Sequence, residues 1–338
     1  MRVLVTGGYG CIGSWVVKRL MERRDEVWVY DLREDARRMA QIMPLEMLSR
    51  IRFVPGDITD LDDFRSALDS KRVSHVIHLA GLQVPVCRAD PLRGARVNVL
   101  GTLTVLEAVR GLGRQIEGLV YASSAGVYGP PDTLPAGPLP DDTPLRPLTH
   151  YGVFKACNEG NARVYWLDHG IRSVGLRPWT VYGVGRDFGM TSDPTKAIKA
   201  VAAGRRFHIG YGGLQDMQYA DDVAGAFIRG VVECHRLPEA RVYNIRGEVV
   251  AMPEFLATLA GAAPEATRLI SAGQNQLPIA FDLDDQRLRA EIGHIPRTPL
   301  AQGVAQTLAC FRTLRAEGRL DLSDLGPEPA TTATTAKG

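Results

Sequence analysis

The sequence lacks the features that mark several large classes of protein. It carries almost no net charge, with 40 Lys and Arg against 38 Asp and Glu, and it has no block of basic residues. Nucleic-acid-binding proteins usually present a concentrated positive surface, so we expect no nucleic-acid partner. No apolar run approaches the roughly 20 residues that span a bilayer, so we expect no membrane partner either.

Cysteine is also scarce, with five residues in a chain of 338. The cysteines form no close pair, and they stand at Cys11, Cys87, Cys157, Cys234 and Cys310. This pattern fits neither a disulfide framework nor a zinc site, so we expect no metal and a reducing, cytoplasmic location. The N-terminus has none of the regions of a signal peptide. The tail at 323–338 is rich in Thr, Ala and Pro and is expected to be disordered.

Short apolar runs alternate with amphipathic helical patterns in the first half of the chain. Runs of Val, Ile and Leu predict strands at residues 3–6, 27–30, 51–54, 75–79, 119–122 and 173–176. Helices are predicted between them at 12–24, 62–68, 91–111 and 151–169. Such alternation is typical of an α/β fold with a Rossmann doubly wound parallel sheet.

The pattern changes after residue 182. The segments 183–193 and 210–218 are rich in glycine and look irregular. Further predictions are a strand at 241–245 and helices at 194–203, 221–233, 252–262 and 300–315. We therefore expect a smaller, mostly helical C-terminal substrate lobe. The predicted boundaries are 1–180 for the Rossmann domain, with return segments at about 221–246, and 181–220 with 247–322 for the lobe.

A glycine-rich segment follows the first predicted strand and opens the first helix. Residues 6–13 read TGGYGCIG and contain G-x-G-x-x-G. Glycines there allow a tight turn and bring a helix N-terminus close to a dinucleotide pyrophosphate. Asp31 ends the second strand, where a carboxylate can bind the adenosine ribose hydroxyls and repel a 2′-phosphate. NAD is favoured over NADP, although the nearby Arg33 keeps NADP as the alternative.

Three further places in the sequence are candidates for cofactor contacts, and two of them have a structural alternative. Asp57 follows the third strand and either reaches the adenine amino group or caps the next turn. Residues 78–81 read HLAG at the end of the fourth strand, where small side chains would let a flat cofactor lie against the sheet edge. Asn98 interrupts a helical pattern as a poor helix former. It either contacts the cofactor or bonds across a buried loop.

A candidate acid–base pair lies in the helix predicted at 151–169. Tyr151 and Lys155 are four residues apart, so their side chains share one helix face. Tyrosine has an ordinary pKa of about 10, and a neighbouring ammonium group lowers it toward the useful range. Residues 123–129 read SSAGVYG after the fifth strand, at the sheet edge where such folds bind ligands. A serine hydroxyl there can donate to a substrate oxygen while the tyrosine takes or returns a proton.

In this order the motifs resemble the extended short-chain dehydrogenase/reductases, the NAD-dependent epimerase/dehydratase family. The resemblance covers roughly residues 1–235 and includes RPWTVYG at 177–183 and YADD at 219–222. It implies an NAD-dependent enzyme whose catalytic residues are Ser124, Tyr151 and Lys155, and a homodimer formed through the helices at 91–111 and 151–169. The implied cofactor contacts are Gly7, Gly10, Cys11, Ile12, Gly13, Asp31, Asp57, Ile58, Leu79, Ala80, Gly81, Asn98, Ala122, Tyr151, Lys155, Pro178 and Val181.

The chain differs from other members of this family at positions that determine the reaction and the substrate. Dehydratases of the family carry an acidic pair after the Ser or Thr, and here those positions are Ala125 and Gly126. Members that act on nucleotide sugars, such as UDP-galactose 4-epimerase, hold the diphosphate with an asparagine and two arginines. The first two positions are Thr180 and Gln215 here, and 271–277 contains no arginine. Each charged hydrogen bond that is missing lowers the binding free energy of a diphosphate by about 1.5–3 kcal/mol.

We therefore expect hydride transfer at a secondary alcohol or ketone of a small polar substrate, which is a free sugar, a sugar acid or a polyol. A UDP-hexose 4-epimerase is the alternative, because Arg186, Lys196 and Arg205 offer substitute cations. A protein that senses NAD(H) is the alternative of another class, although it would not need an acid–base group. The candidate substrate contacts are Gln83, Ser123, Thr180, Arg186, Thr191, Ser192 and Gln215.

Overall fold

Short apolar runs form the strands of a parallel sheet. The computed structural model describes residues 1–327. Over these residues the strands are β1 Arg2–Thr6, β2 Glu26–Asp31, β3 Arg52–Pro55, β4 His75–His78, β5 Gly118–Ala122, β6 Val174–Arg177, β7 Thr180–Tyr182, β8 Phe207–Ile209, β9 Leu214–Tyr219, β10 Arg241–Asn244, β11 Glu248–Ala251 and β12 Ile270–Ala272. Seven form one sheet in the order β10-β6-β5-β4-β1-β2-β3, with every pair parallel. This is the strand order of a Rossmann sheet, so the predicted fold class is confirmed.

Helices cover both faces of this sheet, which explains why its strands are apolar on both sides. The α-helices are α1 Cys11–Glu22, α2 Leu45–Leu48, α3 Leu61–Ser70, α4 Val84–Ala89, α5 Pro91–Ala95, α6 Gly101–Leu112, α7 His150–His169, α8 Asp193–Ala203, α9 Ala220–Glu233, α10 Met252–Ala262, α11 Ala266–Leu269, α12 Gln286–Ile292 and α13 Leu300–Ala316. Successive side chains of a strand point to opposite faces. Val3 and Val5 pack in the layer with α1 and α9, and Leu4 packs with α3 and α6.

The smaller lobe is mostly helical and carries two small sheets, β11-β9-β7 and β12-β8. The irregular structure expected at 210–218 is wrong, because this segment contains most of β9, which pairs with β7 and β11. The apolar pattern of a strand is missing because Asp216 and Gln218 are polar and yet buried. Asp216 accepts from the Gly247 amide at 2.8 Å and from Gln218 Nε2 at 2.7 Å, which makes its burial tolerable.

The ordered chain continues past the predicted start of the disordered tail. Ser323–Leu325 forms a 3₁₀ turn, and Asp324 pairs with Lys199 at 2.8 Å. The disorder predicted from 323 is therefore wrong for this turn, and residues 328–338 lie outside the described residues. Within residues 1–327, no helix has both the length and the apolar composition needed to cross a membrane. The predicted boundaries between the Rossmann domain and the lobe stay a prediction.

Candidate active site

The glycine-rich turn between β1 and α1 is packed so tightly that side chains do not fit. Gly7 has a φ of +65°, and a Cβ there would lie 2.7 Å from the Ala80 amide nitrogen. A Cβ on Gly13 would overlap the Gly7 carbonyl and lie 2.7 Å from Gly8 Cα. Helix α1 begins after Gly10, and no side chain caps its N-terminus. The first-turn amides are therefore oriented for an anion such as a pyrophosphate.

A cavity of about 510 Å³ extends from this turn toward the carboxyl ends of β2 and β3. Asp31 lies in its wall and accepts from the Leu32 amide at 2.9 Å, and burial raises the pKa of this carboxyl. Asp57 also lines the cavity, while its Oδ1 accepts from the amide and hydroxyl of Thr59 at 2.9 Å. Asp57 thus caps the turn after β3, and its contact with the adenine amino group stays a prediction. The predicted cofactor residues in this wall are Gly7, Gly10, Asp31, Asp57, Ile58, Leu79, Ala80 and Gly81.

A second cavity, of about 200 Å³, lies on the other side of the glycine turn. Its walls come from the carboxyl ends of β4, β5 and β6, from α7 and from the smaller lobe. The predicted cofactor and catalytic residues that line it are Gly7, Gly10, Cys11, Ile12, Gly13, Leu79, Gly81, Ala122, Ser124, Tyr151, Lys155, Pro178 and Val181. Together the two cavities fit a dinucleotide laid along the carboxyl edge of the sheet.

The serine, tyrosine and lysine predicted to be catalytic meet in the 200 Å³ cavity. Helix α7 starts at His150, because the Thr149 hydroxyl accepts from the Gly152 amide at 3.0 Å. One turn separates Tyr151 from Lys155, and the Lys155 Nζ lies 5.6 Å from the centre of the Tyr151 ring. The same Nζ donates to the Ala122 carbonyl at 2.6 Å, which fixes the ammonium against the end of β5.

Burial and hydrogen bonding change the pKa of Tyr151 in opposite directions. The pKa of Tyr151 is raised overall, contrary to the expected lowering, because burial outweighs the hydrogen bond with Ser124 and the charge of Arg186, which both lower it. Burial also lowers the pKa of Lys155 to about 8. Gly126 leaves the space that this arrangement needs, because a Cβ there would lie 3.3 Å from Ser124 Oγ and 3.7 Å from the Tyr151 ring. The geometry suits proton exchange between a bound hydroxyl group and the tyrosine.

Asn98 does not line either cavity, and its role as a cofactor contact stays a prediction. It lies in a π-helical turn, Arg96–Leu100, and its amide is used by the backbone of Leu82. Oδ1 accepts from the Leu82 amide at 2.7 Å, and Nδ2 donates to the Leu82 carbonyl at 2.9 Å. Of the two predicted alternatives, the structure shows the bond across a buried loop. Asn98 thereby holds the segment after β4 that forms part of both cavity walls.

Four of the seven candidate substrate contacts line the 200 Å³ cavity, namely Gln83, Ser123, Arg186 and Thr191. Thr180, Ser192 and Gln215 do not line it, and their roles as substrate contacts stay predictions. Thr180 Oγ1 donates to Gln215 Oε1 at 3.0 Å, and Gln215 Nε2 donates to the Gly212 carbonyl at 3.2 Å. Ser192 donates to the Gly189 carbonyl at 2.8 Å. All three side chains are buried, and these hydrogen bonds join them to other groups of the protein.

Sequence reasoning missed several residues of the same cavity wall. They are apolar or small and belong to segments far apart in the chain: Val84, Gly126, Thr149, Trp179, Met190 and Ile279. RPWTVYG and SSAGVYG already placed Trp179 and Gly126 next to predicted site residues, and Thr149 directly precedes the predicted helix. No local pattern pointed to Met190 or Ile279.

The fold and the site together define a Rossmann enzyme with a Ser–Tyr–Lys group at the carboxyl edge of its sheet. The chain belongs to the NAD dependent epimerase/dehydratase family, whose model matches residues 3–245. It is thus an NAD-dependent enzyme, and the glycine turn and the two cavities fit that cofactor.

Relatives cover nearly the whole chain. UDP-glucose 4-epimerase of Mycolicibacterium smegmatis is 32% identical over 92% of this chain and 99% of its own length. The Thermus thermophilus UDP-glucose 4-epimerase, solved with NAD, is 30% identical with a TM-score of 0.75 over 92% of this chain and 99% of that chain. A partial consensus L-threonine 3-dehydrogenase has a TM-score of 0.80 over 93% and 100% of the two chains. At 24% identity, that likeness shows the fold alone.

Proposed function

We propose that this chain is an NAD-dependent dehydrogenase for a secondary alcohol on a small polar substrate: a free sugar, a sugar acid or a polyol. The observation that carries the proposal is the contact between Thr180 and Gln215. These residues occupy two positions that hold the diphosphate in nucleotide-sugar enzymes of this type, and here they bond to each other in the protein interior. Neither can offer a charged hydrogen bond to a phosphate.

The cations elsewhere in the chain support the same proposal. Two arginines follow the segment 271–277, which itself contains none. Arg289 and Arg297 both pair with Asp285, at 2.9 and 3.0 Å. Of the substitutes considered, Lys196 and Arg205 do not line the 200 Å³ cavity. Arg186 alone of the three lines it, and it is a weak match for a diphosphate, which usually engages several donors.

The chain's own groups have clear roles in such a reaction. When bound, NAD supplies the acceptor for the substrate hydride. The Ser124 hydroxyl donates to the substrate oxygen and holds it beside Tyr151. The Tyr151 phenolate takes the hydroxyl proton as the carbonyl forms, and the Lys155 ammonium favours that phenolate. Ala125 and Gly126 place no carboxylate beside Ser124, so elimination has no base there.

Net NADH formation is the test of this proposal. With excess NAD and a panel of aldoses, aldonates, uronates and polyols, we expect absorbance at about 340 nm to rise stoichiometrically with one substrate class. We also expect UDP to leave the melting temperature of the NAD-loaded protein unchanged. A ligand at a hundred times its Kd adds about 2.7 kcal/mol to stability, so a bound UDP would be visible.

A UDP-hexose 4-epimerase is the second candidate, and the relatives favour it. The similarity to these two UDP-glucose 4-epimerases extends over 92% of this chain and 99% of each relative. An epimerase returns the hydride within one turnover, so it interconverts UDP-glucose and UDP-galactose without accumulating NADH. A melting temperature that rises with UDP, together with that interconversion, would replace the dehydrogenase proposal.

We further propose that the chain forms a homodimer in a reducing, cytoplasmic setting. Large apolar side chains are exposed on the helices predicted to form the interface, at Leu92, Leu100, Val153, Val164 and Leu167. Covering such a surface with a second copy removes it from water. All five cysteines are free, which agrees with a reducing environment. Sedimentation equilibrium is expected to give twice the chain mass, and a monomer at micromolar concentration would contradict the dimer.

A further inference from the structure

The 200 Å³ cavity is positively charged. Among its lining residues in the described chain, the charged side chains are Lys155 and Arg186, and none is acidic. Lys155 is engaged by the Ala122 carbonyl and lies beside the Tyr151 ring. The charge of Arg186 lowers the pKa of Tyr151, but its hydrogen bond goes to Thr191 and to no member of the catalytic group.

Arg186 forms no ion pair with any carboxylate of residues 1–327. The next residue, Asp187, is the nearest acidic group in sequence, but its carboxylate forms an ion pair with Arg38. Arg38 donates to both Asp187 oxygens through Nε and Nη2, at distances of 2.8–3.2 Å. A guanidinium group is always charged and is stabilised in a cleft by an anion. The Arg38–Asp187 pair thus leaves Arg186 free to meet an anion that enters the cavity.

The hydrogen bonds of Arg186 are also incomplete. Its Nη2 donates to the Thr191 hydroxyl at 3.0 Å, which fixes one end of the guanidinium plane. Its Nε is buried and has no hydrogen-bond partner. A buried N–H without an acceptor costs free energy, so the hydrogen bonding of this guanidinium group is not complete within the protein. A guanidinium fork matches the two oxygens of a planar carboxylate.

A second polar side chain converges on the same place. Gly189 has a φ of +108°, and a Cβ there would overlap Gln83 Oε1 and lie 3.2 Å from Arg186 Nη2. The absent side chain of Gly189 therefore lets the Gln83 amide and the Arg186 guanidinium approach one point of the wall. Gln83, Arg186 and Thr191 all line the cavity that holds Ser124 and Tyr151.

We propose that Arg186, with Thr191 and Gln83 beside it, binds a carboxylate carried by the substrate. This inference rests on the proposed dehydrogenase function and narrows it: the substrate is a hydroxy acid of the sugar-acid type, and neutral sugars and polyols are excluded. A carboxylate fits better than a phosphate because Arg186 is the one cation of the described lining besides the engaged Lys155, and a guanidinium fork matches the two oxygens of a carboxylate. The carboxylate at one end and the hydroxyl at Ser124 would together set which carbon is oxidised.

Matched pairs of compounds test this inference on the full-length, NAD-loaded protein. The pairs are D-gluconate with D-glucitol, D-glucuronate with D-glucose, and 3-hydroxybutyrate with butane-1,3-diol. We expect at least one carboxylate to raise the melting temperature and to form NADH, while its neutral partner does neither. Arg186→Gln is expected to weaken that carboxylate's Kd and KM by about 10- to 100-fold, with Arg186→Lys in between.

Two controls separate substrate binding from other effects. Arg206→Gln removes the same charge at an exposed position that lines neither cavity, and it is expected to keep the wild-type Kd. The Kd of NAD is expected to stay within about twofold in Arg186→Gln. If NAD and the carboxylate weaken equally, Arg186 is a cofactor contact and the inference is wrong.

The remaining outcomes distinguish this inference from the function on which it rests. Oxidation of glucitol or glucose with the same KM in the wild type and in Arg186→Gln would overturn the inference and leave the dehydrogenase proposal intact. A larger shift with glucose 6-phosphate than with any carboxylate would overturn it too, as would equal shifts within every pair. Interconversion of UDP-hexoses without net NADH would instead contradict the dehydrogenase proposal.

Discussion

Tyr151→Phe is expected to lower kcat by about 10²- to 10⁴-fold, because it removes only the oxygen that exchanges the proton. The phenyl ring still fills the same space between Ser124 and Lys155, so the protein should fold and bind NAD as before. The measurement is the rate of NADH formation with the compound that the substrate panel selects, together with the Kd of NAD from cofactor fluorescence. A large fall in kcat with little change in the Kd of NAD is the expected result.

Tyr165→Phe is the matched control for this variant. Tyr165 lies on the same helix, α7, and its hydroxyl bonds to Glu107, away from both cavities. The substitution removes the same atom and is expected to leave kcat unchanged. If Tyr151→Phe kept more than about a tenth of the wild-type kcat, Tyr151 would not be the acid–base group. The nearby Ser124 would then be the first alternative to examine.

The Rossmann half of the fold could be predicted because its signals are local. Buried parallel strands appear as short runs of Val, Ile and Leu, and the glycine turn marks where the first strand meets its helix. Strand β9 gave no such signal, since Asp216 and Gln218 are polar. Their burial depends on hydrogen bonds within β9 and with the chain around Gly247, and a pattern within one segment cannot show those partners.

The catalytic group was predictable for a related reason. Helical spacing places Tyr151 and Lys155 on one face, and a strand end brings Ser124 to the ligand-binding edge of the sheet. The contact between Thr180 and Gln215 was not predictable, because it depends on the register of β7 against β9, in which Thr180 stands opposite Met217. The sequence alone does not show that these two side chains bond to each other.

The sequence also does not show which charged groups pair in the fold, and Arg186 is the clearest example. The sequence places Asp187 directly after it, and adjacent opposite charges do not reveal which other groups compete for them. Arg38 lies 149 residues before Asp187 and takes its carboxylate. Sequence reasoning could name Arg186 as a candidate substrate contact. That it faces the cavity without an ion-pair partner follows only from the fold.

Arg177→Met is expected to lower the free energy of unfolding by about 3–5 kcal/mol, because it leaves a buried carboxylate without its partner. Arg177 and Glu159 form a bidentate pair at 2.7–2.8 Å, and their side chains are only 4% and 7% exposed. Arg177 also donates to the Asp141 carbonyl at 2.8 Å, which links the loop at 130–147 to the end of β6. Urea unfolding, with the slope checked against the wild type, measures the loss.

The pair stabilises the site as well as the fold, since Ser123 donates to Glu159 and directly precedes Ser124. Arg110→Met is the control: its pair with Glu107 is largely exposed, so little change is expected. The double variant Arg177→Met with Glu159→Leu removes both charges and is expected to recover part of the lost stability. A loss below about 1 kcal/mol in Arg177→Met would show that water reaches this pair. No recovery in the double variant would instead assign the loss to the Asp141 contact and to packing.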